Sequence, residues 1–85
     1  MQKPDMLHLH RIDPARNIAR FYVLSVTPTL FGSASLVRHW GRMGTLGRTR
    51  IDLFGAHGDA EAELHRMARI KRRRGYVDVE RESGM

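Results

Sequence analysis

The arginines in the middle of this sequence have no acidic residue near them along the chain. Residues 14–51 contain six arginines and no Asp or Glu, and the only tryptophan, Trp40, lies among them. Guanidinium groups donate paired hydrogen bonds to phosphate oxygens, and an indole ring can stack on a base or a sugar. The combination favours a partner that carries phosphates, although ribosomal and membrane-surface proteins share a basic composition.

The composition of the whole chain narrows the class of protein. The 85 residues are 41% hydrophobic and 28% charged, with 15 Lys and Arg against 9 Asp and Glu and a formal net charge of +6. These values predict one folded, basic domain over residues 1–85. The strand and helix patterns begin at residue 6 and end at 79, so we expect a core at about 6–79 and a disordered tail at 80–85. The absence of cysteine excludes disulfides and Cys-ligated zinc. No apolar run is long enough to cross a bilayer, so we expect a soluble, cytoplasmic protein with no membrane partner.

Alternation of apolar and polar residues predicts an antiparallel sheet, and one segment with a period of 3.6 residues predicts a helix. The second strand carries apolar residues on both faces, so we expect it to be central and buried on both sides. The predicted elements are strands at residues 6–13, 20–27, 35–42 and 48–54, a helix at 59–74 and a short strand at 76–79. The fold class is therefore α+β, a twisted antiparallel sheet of four to five strands with one helix packed across it.

The hairpin formed by the third and fourth strands gathers basic residues on one face. If it closes around Thr45, like charges meet directly across two strands, which is unfavourable unless an anion such as a phosphate lies between them. Trp40 is then placed to stack on a nucleotide; alternatively, it is a core residue and the arginines extend outward over it. The facing pairs in this register are Arg42 with Arg48, Trp40 with Arg50, Arg38 with Asp52, and Leu36 with Phe54.

One basic residue, Lys71, falls in the middle of the apolar stripe of the predicted helix. Its ammonium either lies in water or on the last helix carbonyls, or it is carried to the rim of the basic sheet face. The three arginines that follow, at 72–74, are expected to be solvated and to attract phosphates without specificity. The stripe itself consists of Ala60, Leu64, Met67 and Ala68, and the expected caps are Gly58 or Asp59 at the start and Gly75 at the end.

Patterns for catalysis and metal binding are weak. His8 and His10 share a strand face that His39 could approach, but no Cys or carboxylate cluster completes a metal site. The serines lack a Gly-x-Ser-x-Gly nucleophile motif, and the glycines at 41, 44 and 47 do not lead into a helix as a phosphate-binding loop does. We therefore predict no enzyme activity, no metal, no cofactor and no small-molecule substrate.

The residues around Trp40 resemble the signature of the WGR domain family. The motif reads Trp-Gly-Arg-Met-Gly at residues 40–44 and continues as Thr-Leu-Gly-Arg at 45–48. Phe21-Tyr22, the Pro-Thr-Leu-Phe-Gly turn at 28–32, Lys71 and Gly75-Tyr76 are similar to small bacterial WGR proteins. The resemblance covers residues 6–79 and implies a twisted antiparallel sheet with one helix packed across it.

The resemblance also implies a function. In DNA-dependent poly(ADP-ribose) polymerases this domain binds DNA near strand ends, and the motif tryptophan and arginine take part. By position, Trp40 is expected to stack on a terminal nucleotide and Arg42 to contact the DNA backbone or a neighbouring domain. Lys71 matches a lysine that the polymerases carry in a Lys-Thr-Gly-Asn-x-Trp segment, whereas the sequence here continues with three arginines, Gly75 and Tyr76.

Two functions follow from these expectations. The first is a stand-alone, non-catalytic module that binds DNA at strand ends or breaks through a basic sheet face; the choice between DNA and RNA stays open. The alternative is a protein-interaction module that uses the same surface, since a fold does not determine a function. The predicted nucleic-acid contacts are Trp40, Arg42, Arg38, Arg48, Arg50, Lys71, Arg72, Arg73 and Arg74.

Overall fold

The computed structural model describes residues 6–79, which form a five-stranded antiparallel sheet with one α-helix. The strand order is β4-β3-β2-β1-β5, so the sheet is an open meander extended by a short final edge strand. This confirms the predicted α+β class, while the tail predicted at 80–85 lies outside the described residues. The elements are β1 (Met6–Asp13), a short 3-10 turn (Pro14–Arg16), β2 (Ile18–Pro28), β3 (Ala34–Arg42), β4 (Arg48–Phe54), α1 (His57–Arg73) and β5 (Val77–Asp78).

The core lies between α1 and one face of the sheet. Leu9, Leu24 and Leu36 are fully buried there, against Leu64 and the small residues of the helix. The prediction that β2 is buried on both sides is wrong. Successive strand residues point to opposite faces, and the single helix covers only one of them. The other face of β2, which includes Phe21 and Val23, is only partly covered.

The register of the β3–β4 hairpin differs by two residues from the predicted one. Arg38 faces Arg50 and Trp40 faces Arg48, whereas Arg42 faces Arg20 on β2. The connection is longer than a turn centred on Thr45, because the chain after β3 stays with β2. The Met43 N–H donates to the Ala19 carbonyl at 2.8 Å. A shift of two preserves the side to which each residue points, so the predicted faces of β3 and β4 are correct.

The helix begins two residues earlier than predicted, and no side chain caps its start. Ala56 is the N-cap residue, so Gly58 and Asp59 lie inside the first turn and the predicted cap is wrong. The predicted C-terminal glycine is confirmed: Gly75 adopts φ +99°, its N–H donates to the Arg72 carbonyl, and the Tyr76 N–H donates to the Lys71 carbonyl. This pair of bonds reverses the chain and brings Tyr76 back under the helix end. Within residues 6–79, the one α-helix is too short and too polar to cross a membrane.

Candidate nucleic-acid interface

Three cations converge at the end of the sheet that lies beneath the helix C-terminus. Arg20 and Arg42 face each other across β2 and β3, and Lys71 reaches the same place from the last turn of α1. Together with Trp40, Gly41 and Tyr76 they line a cavity of about 460 Å³, which we call the basic cup. No carboxylate lines the cup, and no described Asp or Glu forms an ion pair with its three cations. The directly opposed arginines therefore form an uncompensated positive site.

An aromatic stack forms the wall of the basic cup. Trp40 lies nearly parallel to Tyr22, with ring centroids 5.9 Å apart and an interplanar angle of 23°. Tyr76 meets Tyr22 edge-on, with centroids 6.3 Å apart. Trp40 is half-buried and packs against the core, yet it also lines the cup. Its indole therefore supports the core and also reaches the basic surface, and stacking on a nucleotide stays a prediction.

The Lys71 ammonium is carried to the sheet face. Its Nζ lies 4.4 Å from the centre of the Tyr22 ring and 5.4 Å from that of Tyr76, in cation–π contact with both. Burial lowers the pKa of Lys71, and the nearby positive charges of Arg74 and Arg20 lower it further. A charged lysine at this position is destabilised by its neighbours, and an anion in the cup would relieve that repulsion.

The guanidinium of Arg42 is oriented by the turn between β1 and β2. Its two terminal nitrogens donate to the Asn17 backbone carbonyl at 3.1 Å and to the Asn17 side-chain oxygen at 3.0 Å. Asn17 can accept both bonds because it adopts a left-handed conformation, φ 58° and ψ 42°, at the end of the short 3-10 turn. The Arg42 side chain is exposed, but its bonds to Asn17 hold it in one orientation, whereas a free arginine would sample many rotamers.

Two glycines allow the loop after β3 to close tightly beneath Trp40 and Arg42. A Cβ atom on Gly41 would lie 2.8 Å from the Gly47 Cα, and one on Gly47, whose φ is +74°, would lie 2.5 Å from the Trp40 carbonyl oxygen. The loop is further held by the Thr45 hydroxyl, which donates to the Arg42 carbonyl at 2.7 Å. The glycine of the Trp-Gly-Arg motif is thus explained by close packing of two backbone segments.

The three predicted contacts on the β4 side lie outside the cup. Arg38 extends beneath the helix, where it donates to Asp52 at 3.0 Å and to the Met67 sulfur at 3.3 Å. Arg50 donates to the same carboxylate at 3.2 Å, so Asp52 bridges the opposed Arg38 and Arg50 and compensates one of their two positive charges. These hydrogen bonds, with Arg38 contributing most, lower the pKa of Asp52. Arg48 is exposed opposite Trp40.

The three arginines after Lys71 are exposed as predicted, but they are not equivalent, because one of them, Arg72, has a carboxylate partner. Its guanidinium donates two bonds of 2.8 Å to the carboxylate of Asp78, which fastens the helix end to β5 and lowers the pKa of Asp78. Arg73 and Arg74 are exposed. Arg20 and Tyr76 also line the cup, and neither was predicted as a site residue from the sequence. For Arg20 a signal existed, because it shares a strand face with Tyr22.

The histidines do not assemble a metal site. His8 and His39 lie on the face of the sheet opposite the helix, but Val23 on the intervening strand stands between them. His39 is engaged elsewhere, since its Nε2 donates to the Leu46 carbonyl at 2.7 Å. In the part of the chain that the structure describes, no three His, Asp or Glu side chains come together in a way that could hold a metal ion.

Comparison with known proteins gives three results. The sequence matches the WGR domain family over residues 6–83. It is 43% identical over 76 residues to "Uncharacterized protein y4dW" of Sinorhizobium fredii (strain NBRC 101917 / NGR234), an alignment that spans 89% of this chain and 37% of that protein. The crystal structure of a Bacteroides fragilis protein, a structural-genomics target, has the same fold, with a TM-score of 0.75, 23% identity, and coverage of 88% of this chain and 19% of that one. The chain thus spans well under half the length of either relative.

Proposed function

The chain belongs to the WGR domain family, and from this premise we propose that it binds DNA without catalysis, with the basic cup receiving a strand end. WGR domains are binding modules and bind nucleic acid in poly(ADP-ribose) polymerases. The observation that carries the proposal is the cup itself, in which Arg20, Arg42 and Lys71 have no carboxylate partner within residues 6–79 and adjoin the edge of Trp40.

The dimensions of the cup support a terminal nucleotide as its occupant. A cavity of about 460 Å³ lies in the range of about 300 to 1,000 Å³ that suits small ligands. It can admit one nucleotide and its phosphate, whereas a continuous duplex must stay outside. The Arg42 fork and the Lys71 point charge then contact phosphate oxygens, and Trp40 stacks on the base or sugar.

Cations outside the cup have a different role in this proposal. Arg48, Arg73 and Arg74 are exposed and add attraction to any polyanion, independent of ends. Arg38 and Arg72 are paired with Asp52 and Asp78, so we assign them to the structure of the domain and not to DNA contact. The proposed binding surface therefore includes only some of the basic residues of the chain.

The proposal is tested by fluorescence anisotropy with three duplexes of one sequence, which are blunt-ended, nicked, or closed at both ends by hairpin loops. We expect the two DNAs that contain strand ends to bind more tightly than the closed one. Arg42→Gln should reduce this preference and flatten the log–log salt dependence by about 0.9. Arg69→Gln, an exposed change on the outer side of the helix, is the matched control and should weaken all three DNAs equally.

Equal binding to the closed and end-containing duplexes would refute end recognition. Weak binding with a flat salt dependence would refute nucleic-acid binding altogether, because neutralisation of phosphates requires a steep negative slope. In that case the protein-interaction alternative would remain for the same surface.

A further inference from the structure

The sheet has one face that the helix does not cover, and this face carries no Asp, Glu, Lys or Arg. All Asp and Arg residues of the five strands point to the helix side, and the strands contain no Glu or Lys. At one end of this face the loop after β3 packs against Phe21, His39 and Gly41. The residues on this side of the sheet, which we call the open face, are Met6, His8, His10, Ile12, Ala19, Phe21, Val23, Ser25, Thr27, Ser35, Val37, His39, Gly41, Thr49, Ile51, Leu53 and Val77.

The centre of the open face is apolar and exposed. Val37 and Ile51 face each other across β3 and β4, and Leu53 and Val23 lie diagonally on either side. Ile51 is 62% exposed and Leu53 is 71% exposed, although each is a large aliphatic side chain. A contiguous apolar surface of this kind marks an interaction site in soluble proteins.

We propose that the open face is covered by the open face of a second copy of this chain, which gives a face-to-face sheet sandwich. Each copy carries a net charge of +6, but the Asp and Arg residues of the strands lie on the helix side of the sheet. Contact between two open faces therefore brings no Asp or Arg residues of the strands together. The valine, isoleucine and leucine at the centre are residues found on the inner faces of β-sandwiches. Serines and threonines lie around them and form a small polar border.

The area of the open face is sufficient for a reversible dimer. Four strands about 4.8 Å apart, overlapping for roughly seven residues with a rise of about 3.3 Å, give a footprint of about 440 Å² on each copy. Accessible area exceeds a flat footprint, so two copies bury at least about 900 Å² and approach the roughly 1,000 Å² of a specific interface. We expect an interface of this small size to be weak and reversible, so the dimer should form only at high protein concentration. The basic cups, on the opposite side of each sheet, stay open.

Sedimentation velocity from about 1 μM to 1 mM tests the proposal. We expect the 9.8 kDa chain to become a dimer across this range and the double variant Ile51→Glu/Leu53→Glu to stay monomeric. Both substituted residues are exposed, so circular dichroism should show an unchanged fold. The control is Ala62→Glu on the solvent side of the helix, which makes the same type of charge change away from the face and should leave the dimer intact.

Several outcomes would overturn the proposal. These are a parent protein that stays monomeric at 1 mM, a double variant that dimerises as tightly as the parent, and an Ala62→Glu variant that loses the dimer to the same extent. A monomeric parent that sediments with phosphatidylcholine vesicles, and no longer does so after the double substitution, would identify a lipid surface as the occupant and would also refute the dimer. DNA binding by the monomeric variant tests the cup separately.

Discussion

Replacement of Trp40 by Ala should weaken both DNA binding and folding, by amounts that can be separated. Truncation of a fully buried Trp costs about 3 to 5 kcal/mol, so the half-buried Trp40 should cost about 2 kcal/mol of stability. Loss of a stack on a nucleotide costs about 1 to 3 kcal/mol, which corresponds to about a 5-fold to 150-fold increase in Kd. The indole is uncharged, so the salt dependence of binding should hardly change.

The assay is anisotropy with a blunt duplex at four salt concentrations, with a thermal melt of each variant recorded beside it. Trp40→Phe keeps an aromatic ring over Tyr22 and should retain most of the stability and part of the affinity. Arg42→Gln is the contrast, since it should change the salt slope. A folded Trp40→Ala protein that binds ends as tightly as the parent would refute stacking. If Trp40→Ala unfolds, Trp40→Phe provides the test. A Trp40→Phe protein that keeps full stability and binds a closed duplex with unchanged affinity, but no longer prefers DNA with ends, would still support a direct contact between residue 40 and the strand end.

Three further predictions follow. Leu64→Ala should lower the free energy of unfolding by about 2 to 5 kcal/mol in urea denaturation, because Leu64 is 3% exposed in the core, and a loss of a few tenths would contradict this packing. Burial and nearby cations lower the pKa of Lys71, so DNA affinity at constant ionic strength should fall with rising pH at lower pH values than for an ordinary lysine, as the ammonium loses its proton; Lys71→Met should show no such fall. Asp78→Asn should free Arg72 and steepen the salt slope by up to about one unit, whereas an unchanged slope would show that this arginine does not reach DNA.

The sequence predicted the elements and their faces well, and it predicted their register poorly. Alternation fixes the side to which a strand residue points, and a shift of two preserves that side. The loop that follows Trp-Gly-Arg is set by contact between Gly41 and Gly47 and by the bond from Met43 to β2, which are long-range features with no local pattern. The opposed arginines were therefore expected at Arg42 and Arg48, but Arg20 faces Arg42 on one side and Arg11 on the other, and Arg38 faces Arg50.

The number of charged residues in the sequence could not show which arginines pair with a carboxylate and which are available to bind an anion. Asp52 lies on the same strand as Arg50 but its stronger bond is to Arg38 on the neighbouring strand, and Arg72 finds Asp78 only because Gly75 reverses the chain. Lys71 was recognisable from its place in an apolar stripe, since a helix wheel is a local property. Tyr76 was not, because its contact with Tyr22 depends on how the helix end meets the sheet.

The basic cup is made of residues that are distant in the chain, from Arg20 on β2 to Tyr76 after the helix. The cup exists only when the hairpins, the helix and the final turn have all formed, so binding of a ligand in the cup is thermodynamically coupled to folding. A ligand that binds the folded chain and not the unfolded chain adds about 2.7 kcal/mol to the free energy of unfolding when its concentration is 100 times its Kd. For a domain of this size such a gain is a large share of its total stability. A polyanion that binds the cup would thereby raise the population of folded protein.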